Sequence, residues 1–205
     1  MGRFSLEGVN SAITTPFKAN ETLDEEALRT EIEYQVRCGV NGIVICSTPG
    51  EISVLSLEER KGVCEIAVDQ VDNRVALIVD TGSPRTNWAT HLAEHAERTG
   101  ASFVMILSPW LLPQNENTLL KHYSQIINAL KGESKVILYN LPKYTNVNIS
   151  SQLFQKLIKI FPERIEGIKD TSGSMATIQD YIFAAEGKAR VVCGDDTSLL
   201  SALAV

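Results

Sequence analysis

The chain has 205 residues, 44% of them apolar, and a formal charge of −6. That is enough apolar material for one large core, and without a basic stripe a nucleic-acid partner has no support. No apolar run reaches the roughly 18 residues of a membrane span, and Met1-Gly2-Arg3-Phe4-Ser5 lacks the apolar segment of a signal peptide, so a cytoplasmic protein is expected.

Short apolar runs alternate with amphipathic stretches along the whole chain. Gly8 to Phe17 reads as a first strand, closed by Pro16. Thr22 and Glu25 form a capping box for a helix through Arg37, which Gly39 stops. Asn41 to Thr48 is a second strand. Ser56 and Glu59 form another capping box, for a helix to about Val71. Val75 to Thr81 is a third strand, and Pro84 fits the first position of a helix that ends near Gly100. Ser102 to Leu107 is a fourth strand, closed by Ser108-Pro109, and a helix from Asn117 to Leu130 stops at Gly132. Lys135 to Asn140 is the fifth strand, with a helix from Ser150 to Phe161. Ile165 to Lys169 is the sixth, with a helix from Met175 to Ala185. Arg190 to Cys193 is the seventh, and Thr197 opens a further helix that holds Val205.

Seven strand–helix units in strict alternation, with continuously apolar strands, predict an α/β fold with a parallel sheet. With no strand that reads as an edge, the expected fold is a (β/α)₈ TIM barrel. An open doubly wound sheet has the same periodicity and stays as the competitor. By this count the chain, 1–205, is a single barrel domain truncated at its C-terminus, one unit short. No GxGxxG follows the first strand and no GxxxxGK[ST] occurs, so nucleotide binding of those types has no support.

The stretch Ile165-Glu166-Gly167-Ile168-Lys169 carries a lysine on an apolar strand. Desolvation favours a neutral amine, and the neutral amine is the nucleophile, so Lys169 is the first residue to suspect of covalent chemistry. A solvated strand-end lysine is the plain alternative. In a barrel the reactive mouth lies at the C-terminal strand ends. Those ends carry Thr14, Thr15, Ser47, Thr48, Thr81, Ser108, Tyr139, Asn140, Lys169, Thr171, Gly194, Asp195 and Asp196. One lysine, one tyrosine and several hydroxyls suit imine chemistry on a carbonyl substrate, with Tyr139 as a proton shuttle. Asp170 reads as structural or paired at the surface, and Asp196 as a substrate contact or a helix N-cap. His91, His95 and His122 fall in helices and read as outer-ring residues, not metal ligands. Cys38, Cys46, Cys64 and Cys193 show no CxxC and read as reduced, mostly buried residues.

Tyr139-Asn140-Leu141-Pro142, followed one helix later by Gly167-Ile168-Lys169-Asp170, resembles the dihydrodipicolinate synthase / N-acetylneuraminate lyase family of class I aldolases. Ala12-Ile13-Thr14-Thr15-Pro16-Phe17 is similar to that family's opening strand. Ser47-Thr48-Pro49-Gly50-Glu51 stands where its GxxGE motif belongs, and Thr81-Gly82 and Gly194-Asp195-Asp196 fit the third and seventh strands. The resemblance covers nearly the whole chain. It implies a (β/α)₈ barrel that joins or cleaves pyruvate and an aldehyde through a lysine Schiff base, with no cofactor and no metal. It implies Lys169 as the Schiff-base lysine and Tyr139 as the shuttle. Thr48 would bind the pyruvate carboxylate or orient the tyrosine. Ser47, Gly50, Thr171, Gly194 and Asp196 fall on substrate-side positions. A homo-oligomer, by the family's habit a homotetramer, is also implied.

The chain departs from the family at four places. Ser47 replaces the first Gly of GxxGE, and Pro49 replaces a hydroxyl residue. Tyr144 stands where the synthases of lysine biosynthesis carry an arginine. Leu111, after Pro109-Trp110, replaces a tyrosine. These changes point away from dihydrodipicolinate synthase itself and toward a sugar-acid type of aldolase or a relative of other specificity. Dihydrodipicolinate synthase proper, and a degenerate or truncated barrel without activity, are the alternatives.

Overall fold

The computed structural model describes residues 4–205. In chain order the elements are β1 (Asn10–Ala12), α1 (Glu25–Arg37), β2 (Gly42–Ile45), α2 (Leu57–Val71), β3 (Ala76–Asp80), α3 (Thr86–Thr99), β4 (Phe103–Leu107) and α4 (Glu116–Ala129). Then follow β5 (Lys135–Asn140), α5 (Pro142–Thr145), α6 (Ser151–Ile160), β6 (Ile165–Asp170), α7 (Met175–Ala185), β7 (Arg190–Cys193), a 3₁₀ turn (Asp196–Ser198) and α8 (Leu199–Ala202). The strands form one sheet in the order β1-β2-β3-β4-β5-β6-β7. Seven parallel strands with alternating helices are seven of the eight repeats of a (β/α)₈ barrel.

The described chain falls into two compact units. The first comprises the residues up to Thr81 with His91–Val104 and Leu130–Ser134. In it β1, β2 and β3 pair in parallel, Ser11 opposite Ile43 and Val44 opposite Ile78. Leu28 and Ile32 of α1 and Val63 and Ala67 of α2 are buried there with every residue of β2. The second unit comprises Gly82–Thr90, Met105–Ala129 and Lys135–Val205. It buries Leu138 of β5, Leu153, Phe154 and Leu157 of α6, and Ile178 and Tyr181 of α7. Phe154 meets Tyr181 edge-to-face, with 5.7 Å between ring centroids. Burying each such aliphatic or aromatic side chain contributes about 1.5–3 kcal/mol.

Local signals explain most boundaries. Ser56 caps α2 in a full capping box, its hydroxyl accepting from Glu59 N–H while the Glu59 carboxylate accepts from Ser56 N–H. α1 is capped differently from the sequence reading. Asp24, not Thr22, accepts from the Ala27 N–H. The reason lies upstream: Phe17 bridges Leu23, Thr22 C=O accepts from Lys18 N–H, and the Thr22 hydroxyl turns to Asn20. β1 covers only three residues of the longer expected strand. α3 begins at Thr86, so Pro84 lies before the helix and not at its first position. α5 was not anticipated; it starts with Pro142 at its first turn and stops at Asn146, whose φ is 57°. At the other end α8 stops at Ala202, so Val205 lies outside it.

His122 of α4 is 6% exposed, and its Nδ1 lies 2.9 Å from the Thr86 hydroxyl. It lies in a helix, as expected, but on that helix's buried face. Burial pushes its pKa down to about 4 from the ordinary 6.5. The unfolded chain binds the proton first, so stability falls as pH drops through the window from 6.5 toward 4 and is unaffected above it. Between pH 7 and pH 5 the folded chain is expected to lose about 2 kcal/mol that a His122→Gln variant keeps. Denaturant unfolding of both proteins at the two pH values measures it, and equal losses would overturn the expectation.

Candidate active site

In the second unit β5 and β6 pair with Tyr139 opposite Lys169 and Asn140 opposite Asp170. Side chains alternate along a strand, so parallel partners share a face. Tyr139 and Lys169 share one face, and Asn140 and Asp170 share the other. Lys169 Nζ lies 4.5 Å from the Tyr139 ring centroid. Tyr139 is buried and Lys169 half-buried, so the amine is held over the phenol ring while remaining reachable.

The seat of the lysine stem is Gly194, just past β7. Its N–H donates to Asp170 C=O at 2.7 Å, which brings the bare Cα against the end of β6. A Cβ there would stand 2.2 Å from Thr171 Oγ1 and 2.7 Å from Lys169 Cε. Thr171 Oγ1 is buried and finds no hydrogen-bond partner. Buried hydroxyls are nearly always partnered, so this one beside the lysine stem is available to a ligand.

Of the two readings of Asp170, structural or paired at the surface, the first holds: it is 1% exposed. Its carboxylate accepts from Asn140 Nδ2 at 2.7 Å, from the Ser172 hydroxyl at 2.6 Å and from Ser172 N–H at 3.3 Å. Asp196 is reassigned. The N-cap of the 3₁₀ turn is Asp195, whose carboxylate accepts from Thr197 N–H, while Asp196 is the turn's exposed first residue. The Ser198 and Thr197 hydroxyls hold the Asp195 carboxyl below its usual range.

In the first unit, β2 ends in a tight turn. Cys46 has φ 54°, and the turn closes with Glu51 N–H to Thr48 C=O and Ile52 N–H to Ser47 C=O. Thr48 and Pro49 are exposed on it. Ser47 is buried, and its Oγ has no hydrogen-bond partner. Gly50 is held by packing: a Cβ would stand 3.2 Å from Ile13 C=O and 3.3 Å from Thr15 Oγ1, and its own C=O accepts from the Thr15 hydroxyl. Beneath the turn runs a residue the sequence did not flag. Arg60 is 4% exposed, and its Nη2 donates to Asp80 C=O at 2.7 Å. Burial lowers its pKa, and burial pushes the thiols of Cys46 and Cys64 up to about 12. All four cysteines are free, but only those two are buried, since Cys38 is exposed and Cys193 partly so. Thus Lys169, Tyr139, Thr171 and Gly194 meet in one unit, and Ser47, Thr48 and Gly50 share one turn of the other.

Residues 5–205 match the model of the Dihydrodipicolinate synthetase family. The 4-hydroxy-tetrahydrodipicolinate synthase of Syntrophobacter fumaroxidans is 39% identical over 191 residues, 93% of this chain and 64% of that protein. Dihydrodipicolinate synthase from Aquifex aeolicus superposes with a TM-score of 0.92 at 31% identity, over 96% of this chain and 66% of the other. A prophage protein of the dihydrodipicolinic acid synthase family from E. coli K12, solved in complex with pyruvate, does so with a TM-score of 0.92 at 29% identity, over 97% of this chain and 67% of the other. The chain therefore spans about two thirds of the length of such relatives.

Proposed function

The chain belongs to the dihydrodipicolinate synthetase family, and from that premise we propose that it works as a class I aldolase, or lyase, of 2-oxo acids through Lys169. The observation that carries the reading is the Lys169 amine over the Tyr139 ring, 4.5 Å from its centroid, at the paired ends of β5 and β6. The amine attacks the ketone carbon of pyruvate, and the carbinolamine loses water to give an imine. Loss of a proton from the methyl carbon gives an enamine, which adds to the aldehyde carbon; water then releases the product. Cleavage is the same sequence reversed. The protonated imine is the electron sink, so the steps call for proton transfers, and Tyr139 is the phenol we assign to relay them. Thr48 is proposed to bind the pyruvate carboxylate or to orient Tyr139. Ser47, Gly50, Thr171, Gly194 and Asp196 stay assigned to the substrate side. The buried unpartnered hydroxyls of Ser47 and Thr171 support that assignment for those two.

For the aldehyde we propose a sugar-acid type of partner. Tyr144, 67% exposed, stands where an arginine would grip a second carboxylate, and a phenol lacks that bidentate donor pair. Dihydrodipicolinate synthase proper is the second reading, favoured by the similarity to the Syntrophobacter 4-hydroxy-tetrahydrodipicolinate synthase. A homo-oligomer working in the cytoplasm belongs to the same reading, with exposed Leu111 and Leu112 after β4 as apolar surface for a second copy.

Borohydride reduction in the presence of pyruvate, followed by intact-mass measurement and peptide mapping, tests the mechanism. A reduced adduct on Lys169 is expected; an adduct on another residue, or none, overturns it. The two acceptor readings part on whether aspartate semialdehyde or a sugar aldehyde discharges the enamine.

A further inference from the structure

We propose that Asn140 and Asp170 are positioning residues, whose buried hydrogen bond fixes the register in which Tyr139 faces Lys169; this rests on the Schiff-base reading. The case begins with an irregularity in the strands. Val136 pairs with Ile165, but the next residue, Ile137, pairs with Gly167, so β6 carries one extra residue at that point. Pairing at the start of the two strands therefore does not dictate pairing at their ends. A slip of one residue would turn every following side chain to the opposite face. Lys169 would then leave the face it shares with Tyr139.

The pair that pins the far end lies directly behind the reactive one. Asn140 is 0% and Asp170 1% exposed. Both polar atoms of the Asn140 side chain are partnered in the observed register. Its Nδ2 donates to Asp170 Oδ1 at 2.7 Å and to Asn148 Oδ1 at 3.1 Å, and its Oδ1 accepts from Ile149 N–H at 2.9 Å. On the main chain Thr171 N–H donates to Asn140 C=O at 2.9 Å. The other Asp170 oxygen accepts from the Ser172 hydroxyl, and that hydroxyl accepts from Ser174 N–H, the cap of α7. The loop carrying Thr171 is therefore tied to the same carboxylate. Tyr181 of α7 donates to Ile149 C=O, which fixes the segment that Asn140 grips. A polar network with every member partnered has a single arrangement, and a wrong register would leave a buried carboxylate and a buried amide unpaired.

The chemistry of the pair gives a direct test. Asn140→Asp sets two carboxylates face to face. Exchanging the partners, Asn140→Asp with Asp170→Asn, restores one amide donor and one carboxylate acceptor. At saturating pyruvate the rate of borohydride trapping at Lys169 is expected to fall roughly 10²-fold in Asn140→Asp, as for an ångström-scale misplacement. The pyruvate concentration for half-maximal trapping should stay within about twofold, because no side chain assigned to pyruvate is itself replaced. The exchanged pair should recover about tenfold or more of the loss. Asp170→Asn alone, which keeps one acceptor oxygen, is the milder variant if Asn140→Asp does not fold, and should lose roughly tenfold. Rates are taken per folded molecule, from melting curves of each variant. A purely structural pair would lower the melting temperature and leave those rates alone, which overturns the proposal, as does an exchanged pair without rescue. Crystal structures of the wild type and the folding variants decide independently of the imine. The Lys169 Nζ distance to the Tyr139 ring should grow in the single variant and return in the exchanged pair, and an unchanged distance overturns the proposal. Failure of the wild type to trap pyruvate would count against the Schiff-base reading alone, and the structural comparison would then decide this one.

Discussion

Lys169→Ala is expected to lose pyruvate trapping and carbon–carbon bond turnover by roughly four orders of magnitude or more, the scale on which removal of a covalent nucleophile acts. The loss should come without unfolding. Lys169 is half-buried, and its stem lies over Gly194, so truncation removes side-chain atoms from the edge of the core and not from its centre. Its main-chain partners in the ladder, with Tyr139 on one side and Val192 on the other, do not depend on the side chain. Parallel measurement of turnover and of the melting curve separates the two effects. Turnover within about tenfold of wild type would remove Lys169 from the mechanism, since a positioned amine contributes far more than that.

Gly194→Ala carries the second large effect, and it comes from one methyl group. That carbon would stand 2.2 Å from Thr171 Oγ1, 2.7 Å from Lys169 Cε and 3.2 Å from Lys169 Cγ. Contacts so short force a neighbour to move by about an ångström, and both neighbours are side chains that can rotate away. The chain is therefore expected to fold, with a stability loss of about 1–3 kcal/mol from overpacking. The rotation displaces the amine from the Tyr139 ring, so trapping should slow by roughly 10²-fold. A wild-type trapping rate in a folded Gly194→Ala protein would show that the lysine does not need this seat. Gly167 gives a useful contrast. A Cβ there would stand 2.3 Å from Arg190 C=O, a main-chain atom in the neighbouring strand, so its substitution strikes the β6–β7 ladder instead of the reactive amine.

Elements whose signals are local could be read directly. The apolar run Phe103–Leu107 is a strand buried along its whole length, and Met175–Ala185 has the bounds expected of it. The Ser56–Glu59 capping box is present because both partners lie within one turn. The N-cap of α1 was misread because Thr22 and Asp24 both offer a capping oxygen in sequence. The Phe17–Leu23 bridge decides between them, and a bridge between residues is not a local signal. The same division runs through the site. A lysine and a tyrosine at successive strand ends could be paired from the repeat alone. Asp170 could not be read as buried, because a charged residue at a strand end is normally solvated. Its partners become neighbours only when β5 and β6 pair in register and the segment around Asn148 folds back. Arg60 was missed for a similar reason: it falls within a helix, and only the fold brings it under the end of β3.

The strand order β1 to β7 also bears on how the molecule forms. Each strand joins the one made just before it, and each joining closes a loop of one or two helices and their turns. Closure entropy rises only slowly with loop length, so every step has a similar and modest cost. A chain emerging from the ribosome could add one repeat at a time to an edge that is already ordered. The lysine strand would then be laid down on a tyrosine strand already in place.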